Sequence, residues 1–126
     1  GVEGLDEAIA RCNAFVQAGA DITFLEAPLS EEEMRRYCRE VPGPKLVNML
    51  PSGQTPMLSH RQLEEMGFTI AAYPLTLLSV GLKAQMEALR RLREDEETMS
   101  LQLDFEQLKD VVGFNDYYRE EDRYKR

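Results

Sequence analysis

Gly19-Ala20-Asp21-Ile22-Thr23-Phe24-Leu25-Glu26-Ala27-Pro28 decides the fold of this 126-residue chain. A glycine closes a helical pattern, a short apolar run follows, and a carboxylate and a proline end it. Upstream, Leu5, Ala8, Ile9, Cys12, Phe15 and Val16 recur at the i, i+3, i+4, i+7 spacing of one buried face, which predicts a helix from Leu5 to about Ala18. Gly19 suits the position just past its last turn. Asp21 to Glu26 reads as a buried strand.

The same order returns twice. Ser30 with Glu33 forms a capping-box pattern, and Glu31 and Glu32 suit the positive end of the helix that runs through Met34, Tyr37 and Cys38 to Val41. Pro42-Gly43-Pro44 breaks it, and Lys45 to Leu50 is the next strand. Pro51 to Pro56 is a loop of turn formers. A shorter helix opens at Ser59, with Gln62 as capping partner, and stops at Gly67. Thr69 to Tyr73 is the third strand, closed by Pro74. A long amphipathic helix, from about Leu77 to Arg93, carries Leu78, Leu82, Met86, Leu89 and Leu92 on one face. Asp95 to Ser100 is a polar linker. Two short helices follow, Asp104 to Val112 and Asn115 to about Tyr124.

The strands are apolar throughout rather than alternating, the pattern of a parallel sheet covered on both sides. Repeated βα units build either an open doubly wound sheet or a (β/α)8 barrel. No G-x-G-x-x-G follows any strand, which weakens the dinucleotide-binding version of the open sheet. A barrel takes about 250 residues. Three strands and six helices are roughly half of one. The expected class is therefore α/β, with residues 1–94 as half-barrel βα units and 95–126 as a C-terminal helical segment.

Composition narrows the function. With 43% hydrophobic and 30% charged residues the chain can form a core. Its 15 Lys and Arg against 23 Asp and Glu leave a net charge of −8, which argues against nucleic acid or anionic lipid as partner. No apolar run approaches the roughly 20 residues of a membrane span. The start, Gly1 to Asp6, has neither the basic nor the apolar region of a signal peptide. Cys12 and Cys38 have no metal-ligand spacing and read as two thiols on helices in a reducing compartment.

In parallel βα folds ligands bind where strands end. That edge holds Glu26, then Asn48 with the Pro51–Pro56 loop, then Tyr73-Pro74. Glu26 ends an apolar run, and an ionisable group there is costly to bury unless paired or used. Asn48 stands where Val or Ile would fit, and its amide can donate to a carboxylate and accept from a hydroxyl. The plainer alternative makes Glu26 a solvated strand end and Asn48 a loop cap. His60 is expected to be exposed and without a role. Tyr117 and Tyr118, beside acidic neighbours, read as a packed and solvated pair. Met34, Met66 and Met86 read as core filler, and Lys45 as a surface residue. One histidine assembles no Ser/His/Asp or Cys/His set, and the carboxylates lie mostly on helix faces rather than in a metal cluster.

Gly4 to Arg11, Ala18-Gly19-Ala20-Asp21 and Phe24-Leu25-Glu26-Ala27-Pro28 together resemble the isocitrate lyase/phosphoenolpyruvate mutase superfamily. Asn48-Met49-Leu50 with Gly53-Gln54-Thr55-Pro56, Leu63 to Gly67, and Ala72-Tyr73-Pro74-Leu75 resemble its later strands. Gly113-Phe114-Asn115-Asp116-Tyr117-Tyr118 is similar to the plant and algal branch labelled carboxyvinyl-carboxyphosphonate phosphorylmutase-like, which includes the petal death protein. The resemblance implies a (β/α)8 barrel whose last helix passes to a neighbouring subunit, usually in tetramers. It implies Mg²⁺-assisted making or breaking of C–C or P–C bonds in 2-oxo and 2-hydroxy acids such as oxaloacetate or 2-alkylmalates. By resemblance Glu26 is an active-site glutamate, Asn48 contacts substrate, and Thr55 and Pro74 lie near the pocket. The family's metal-binding aspartates, a mobile loop with a Cys-Gly-His element and an arginine lie on earlier strands. None has a counterpart here, so the Mg²⁺ ligands are expected outside this chain. Cys12 and Cys38 cannot replace the loop cysteine.

Two functional readings follow. In one the chain is the C-terminal part of a lyase or mutase, completed by the missing barrel half. In the other it is a catalytically incomplete half-barrel that serves as a subunit of a larger assembly. A small α/β domain with another role is the third possibility. Open sheet edges favour an oligomer or a partner protein. The resemblance places the protein in the chloroplast stroma or the cytoplasm.

Overall fold

The computed structural model describes residues 3–125. Gly1 and Val2 of the N-terminal stretch lie outside the described residues. The elements alternate as expected. Helix α1 spans Leu5–Gln17, strand β1 Thr23–Phe24, α2 Glu31–Glu40, β2 Lys45–Asn48, α3 His60–Met66 and β3 Ile70–Ala72. Helix α4 spans Thr76–Arg93, a 3-10 turn Met99–Leu101, α5 Phe105–Val111 and α6 Phe114–Tyr124. The three strands form one parallel sheet in the order β1-β2-β3, with Thr23 opposite Lys45 and Leu46 opposite Ile70. The chain divides into two compact units, Gly1–Ser79 and Val80–Arg126.

Local chemistry sets the helix ends. The Ser59 side chain accepts from the Gln62 amide while the Gln62 side chain accepts from the Ser59 amide, so α3 opens on a complete capping box. Gly67 ends it at φ 104°, a conformation that glycine takes without penalty. At α2, Ser30 accepts from the Glu33 amide, but the Glu33 carboxylate turns back to the Leu29 amide at 2.7 Å. The expected box therefore forms one residue wider, and the Leu29 and Glu33 amides each find a side-chain acceptor.

The core of the first unit lies between one sheet face and α1 to α3. Met34, Tyr37, Val41, Val47 and Met49 are fully enclosed, and Ile9, Cys12, Leu25, Leu63 and Phe68 pack around them. The Tyr37 hydroxyl and Thr23 Oγ1 share a buried 2.7 Å hydrogen bond. Asn13 Nδ2 donates to the Ile9 and Glu40 carbonyls, tying α1 to the end of α2. Burial pushes the Cys12 and Cys38 thiols up, so neither is primed as a nucleophile.

Several expectations need correction. The sheet is not covered on both sides: Thr23, Leu25 and Val47 are buried, while Ile22, Phe24 and Ile70 on the other face are exposed. Side chains alternate along a strand, so continuous apolarity here reflects one helix-covered face and one open apolar face. Lys45 is not at the surface. It shares the covered face with Val47, is only 5% exposed, and its Nζ donates to the Gly43 carbonyl at 2.7 Å. Strand alternation fixed that side chain inward, and its long stem lets the ammonium reach a carbonyl. Phe15, at 57% exposure, and Met86, at 70%, are not core residues. No residue of α4 is buried among the described residues. Phe114 and Tyr118 stack at 6.0 Å, and Tyr117 meets Tyr118 edge-on at 5.8 Å, all three remaining exposed.

Candidate functional site

Because the strands are parallel, their carboxyl ends share one edge. Just past that edge Glu26 follows β1 by two positions, Asn48 is the last residue of β2, and Pro74 follows β3 by two. Glu26, Asn48 and Thr55 line one pocket, together with Phe24, Ala27, Pro28, Gly53 and Gln54. Pro74 does not line it. It stands in the turn between β3 and α4.

Two backbone devices shape this pocket. After Glu26, Ala27 takes φ 50°, and Pro28 then leads the chain toward α2. Proline denies the preceding residue the right-handed helical region. After β2, the Gly53 amide donates to the Leu50 carbonyl at 2.9 Å and closes a tight turn. Pro51 takes the second place of that turn and Ser52, at φ 70°, the third, where glycine or asparagine is usual. A left-handed residue with a Cβ costs about 1–2 kcal/mol each. The turn returns Gln54 and Thr55 to face Glu26 and Asn48.

The pocket has a volume of about 60 Å³. Ligand sites that enclose a small molecule run to about 300–1,000 Å³. The residues present thus form part of a site, one carboxylate with amide and hydroxyl partners, rather than a closed cavity. Among the described residues no three His, Cys, Asp or Glu side chains lie close enough to hold a metal ion. Of the pocket's lining residues only Glu26 is a carboxylate. These residues therefore do not fit a Mg²⁺ site of their own.

His60 lies elsewhere, exposed at the start of α3, with its ring edge-on to Tyr73 at 5.7 Å. Gln54, beside Thr55 in the Pro51–Pro56 loop, also lines the pocket without any sequence signal of its own. The left-handed backbones of Ala27 and Ser52 are likewise invisible in the sequence. Nothing in an Ala-Pro or Pro-Ser pair announces a positive φ.

Comparisons with known proteins place the fold in a family. The family model for phosphoenolpyruvate phosphomutase matches residues 1–93. The 2,3-dimethylmalate lyase of Eubacterium barkeri is 37% identical over 125 residues, which cover 97% of this chain and 43% of that protein. The chloroplastic carboxyvinyl-carboxyphosphonate phosphorylmutase of Arabidopsis thaliana is 34% identical over 96% of this chain and 37% of its own length. A crystal structure of 2,3-dimethylmalate lyase matches with a TM-score of 0.86 at 31% identity, covering 98% of this chain and 44% of that one. An oxaloacetate acetylhydrolase matches at 0.84 with 27% identity, covering 93% and 40%. The chain thus spans about two fifths of the length of these relatives, and its βα units correspond to the C-terminal half of a (β/α)8 barrel. It belongs to the phosphoenolpyruvate mutase/isocitrate lyase superfamily.

Proposed function

We propose that this chain is the C-terminal part of an enzyme that breaks a C–C bond, or makes or breaks a P–C bond, in a 2-oxo or 2-hydroxy dicarboxylic acid. Oxaloacetate and 2-alkylmalates are the substrates in view. The observation that carries the reading is the meeting of Glu26, Asn48 and Thr55 in one pocket at the carboxyl edge of a parallel sheet. Among its relatives, one is named a dimethylmalate lyase and another an oxaloacetate acetylhydrolase. Both act on compact carboxylic acids, and one carboxylate facing amide and hydroxyl donors suits such a molecule.

In this reading Asn48 and Thr55 donate hydrogen bonds to substrate oxygens. Glu26 accepts from the 2-hydroxyl or enol and holds the proton that moves when the bond breaks. Pro74 borders the pocket once the barrel is whole. Mg²⁺ belongs on ligands from other strands. The exposed sheet face, with Phe24 and Ile70, meets the remaining barrel strands, and residues 95–126 dock on a neighbouring subunit. The stroma or the cytoplasm is the matching compartment.

The test is kinetic. The full-length protein, supplied with Mg²⁺, should cleave 2,3-dimethylmalate or oxaloacetate. Glu26→Gln should lower kcat by about 10²-fold or more, the scale of lost proton transfer. The 126 residues alone should show no turnover. Glu26→Gln at wild-type rate would remove the proposed role. A second reading, a half-barrel kept as a structural subunit, is favoured by the open apolar sheet face and by the stripe on α4. It predicts tight binding to a partner and no turnover in any assembly.

A further inference from the structure

We propose that Ala27 and Ser52 are positioning residues whose left-handed backbones hold the two walls of the rim pocket in place for its ligand. The inference rests on the reading of that pocket as a substrate site. Among the described residues, three that are not glycine have positive φ: Ala27 at 50°, Ser52 at 70° and Asp95 at 55°. Ala27 lines the pocket, Ser52 sits between its lining residues Leu50 and Gly53, and Asp95 belongs to the other compact unit.

Each stands at the point where a wall is set. Ala27 separates Glu26 from the buried Pro28, so its φ fixes the direction in which Glu26 leaves the strand. Ser52 occupies the third place of the turn that returns Gln54 and Thr55. The next position is closed to any side chain, because a Cβ at Gly53 would stand 3.0 Å from the Leu50 carbonyl oxygen and 3.4 Å from Leu50 Cβ, so Ser52 is the last turn residue whose Cβ limits the backbone.

Glycine would take either φ freely, yet alanine and serine stand there. For a residue with a Cβ the left-handed basin is small, whereas glycine has broad freedom on both sides of φ = 0. Once the surroundings force Ala27 and Ser52 into that basin, they have little room to move. Strain of this kind collects where a ligand must find its partners already placed.

Ala27→Gly and Ser52→Gly in the full-length protein separate positioning from mere structure. Glycine removes strain, so the melting temperature should equal or exceed that of the wild type. It also restores freedom, so kcat should fall by about fivefold or more, since placement of reacting groups carries much of the rate. For Ala27→Gly, which acts through Glu26, KM should change by less than about twofold, whereas Ser52→Gly, which acts through the binding residue Thr55, should also raise KM. Glycine variants with wild-type kcat would overturn the proposal. So would a melting temperature lowered by more than about 5 °C, because a strained seat must welcome glycine. An active wild type with unaffected variants defeats this inference alone. A wild type that neither turns over dicarboxylate nor binds oxalate by calorimetry defeats the substrate-site reading, and this inference with it.

Discussion

Tyr37 shows how much one side chain can fix. It is fully buried, and its hydroxyl has Thr23 Oγ1 as partner at 2.7 Å. Tyr37→Phe leaves that threonine oxygen without its partner and should cost about 1–3 kcal/mol in urea unfolding. Burial, with the thiols of Cys12 and Cys38 nearby, pushes the Tyr37 phenol up to about 12, against a partial opposing effect of the Thr23 hydrogen bond. The folded value lies above the unfolded value of about 10, so this contribution is complete below pH 10 and is lost as pH rises toward 12. The loss amounts to about 3 kcal/mol, and Tyr37→Phe should flatten the alkaline slope. At the pocket, Asn48→Ala should raise KM by about tenfold, the effect of one lost hydrogen bond near 1.4 kcal/mol. Glu26 and Asn48 were legible because each breaks an apolar run at a strand end. Lys45 was not, since a lysine at a strand start usually faces water, and only the alternation with Val47 turns it inward.

At the level of elements, helices were easier to read than strands. Apolar spacing, Ser caps and closing glycines located α1, α2 and α3 to within a residue or two. Ser59→Ala removes one arm of the α3 capping box and should cost about 1 kcal/mol. Gln62→Ala removes the other arm, and the double variant should cost less than the sum, as coupled groups do. Chemical denaturation of the three variants measures this. Strands were overestimated in length because apolar character continues past the paired residues. In β1 only Thr23–Phe24 are paired, although the apolar run begins at Ile22. The α4 stripe was read from the spacing, but spacing does not say what covers it. At the end of α4, Glu87 accepts from Arg90 and Arg91, and these hydrogen bonds hold its carboxyl down to about 2. Its folded value lies below the unfolded one. The contribution is therefore present above about pH 4.5 and lost as pH falls toward 2. Amide exchange of residues 90–97 should quicken across that window, and Glu87→Gln should weaken the dependence but leave the part carried by Glu96 and Glu97, whose carboxyls Arg90 and Ser100 also hold down.

The whole molecule exposes what a finished barrel would enclose. Phe24 and Ile70 face outward on the sheet, and Leu78, Leu82, Leu89 and Leu92 line α4 in the open. In the proposed reading this surface meets the rest of the barrel or a partner. That the chain makes half of a barrel could be read from three βα units in a length too short for eight. The remaining strands of such a barrel have no signal in these residues beyond an apolar strand face that the helices do not cover. The central claim is that Glu26, Asn48 and Thr55 form one wall of a dicarboxylate site. Its most direct test is a crystal structure of the full-length protein with oxalate. The ligand should lie at the carboxyl edge of the sheet, within hydrogen-bond reach of Asn48 or Thr55 and beside Glu26. Oxalate bound elsewhere, with that wall untouched, would contradict it.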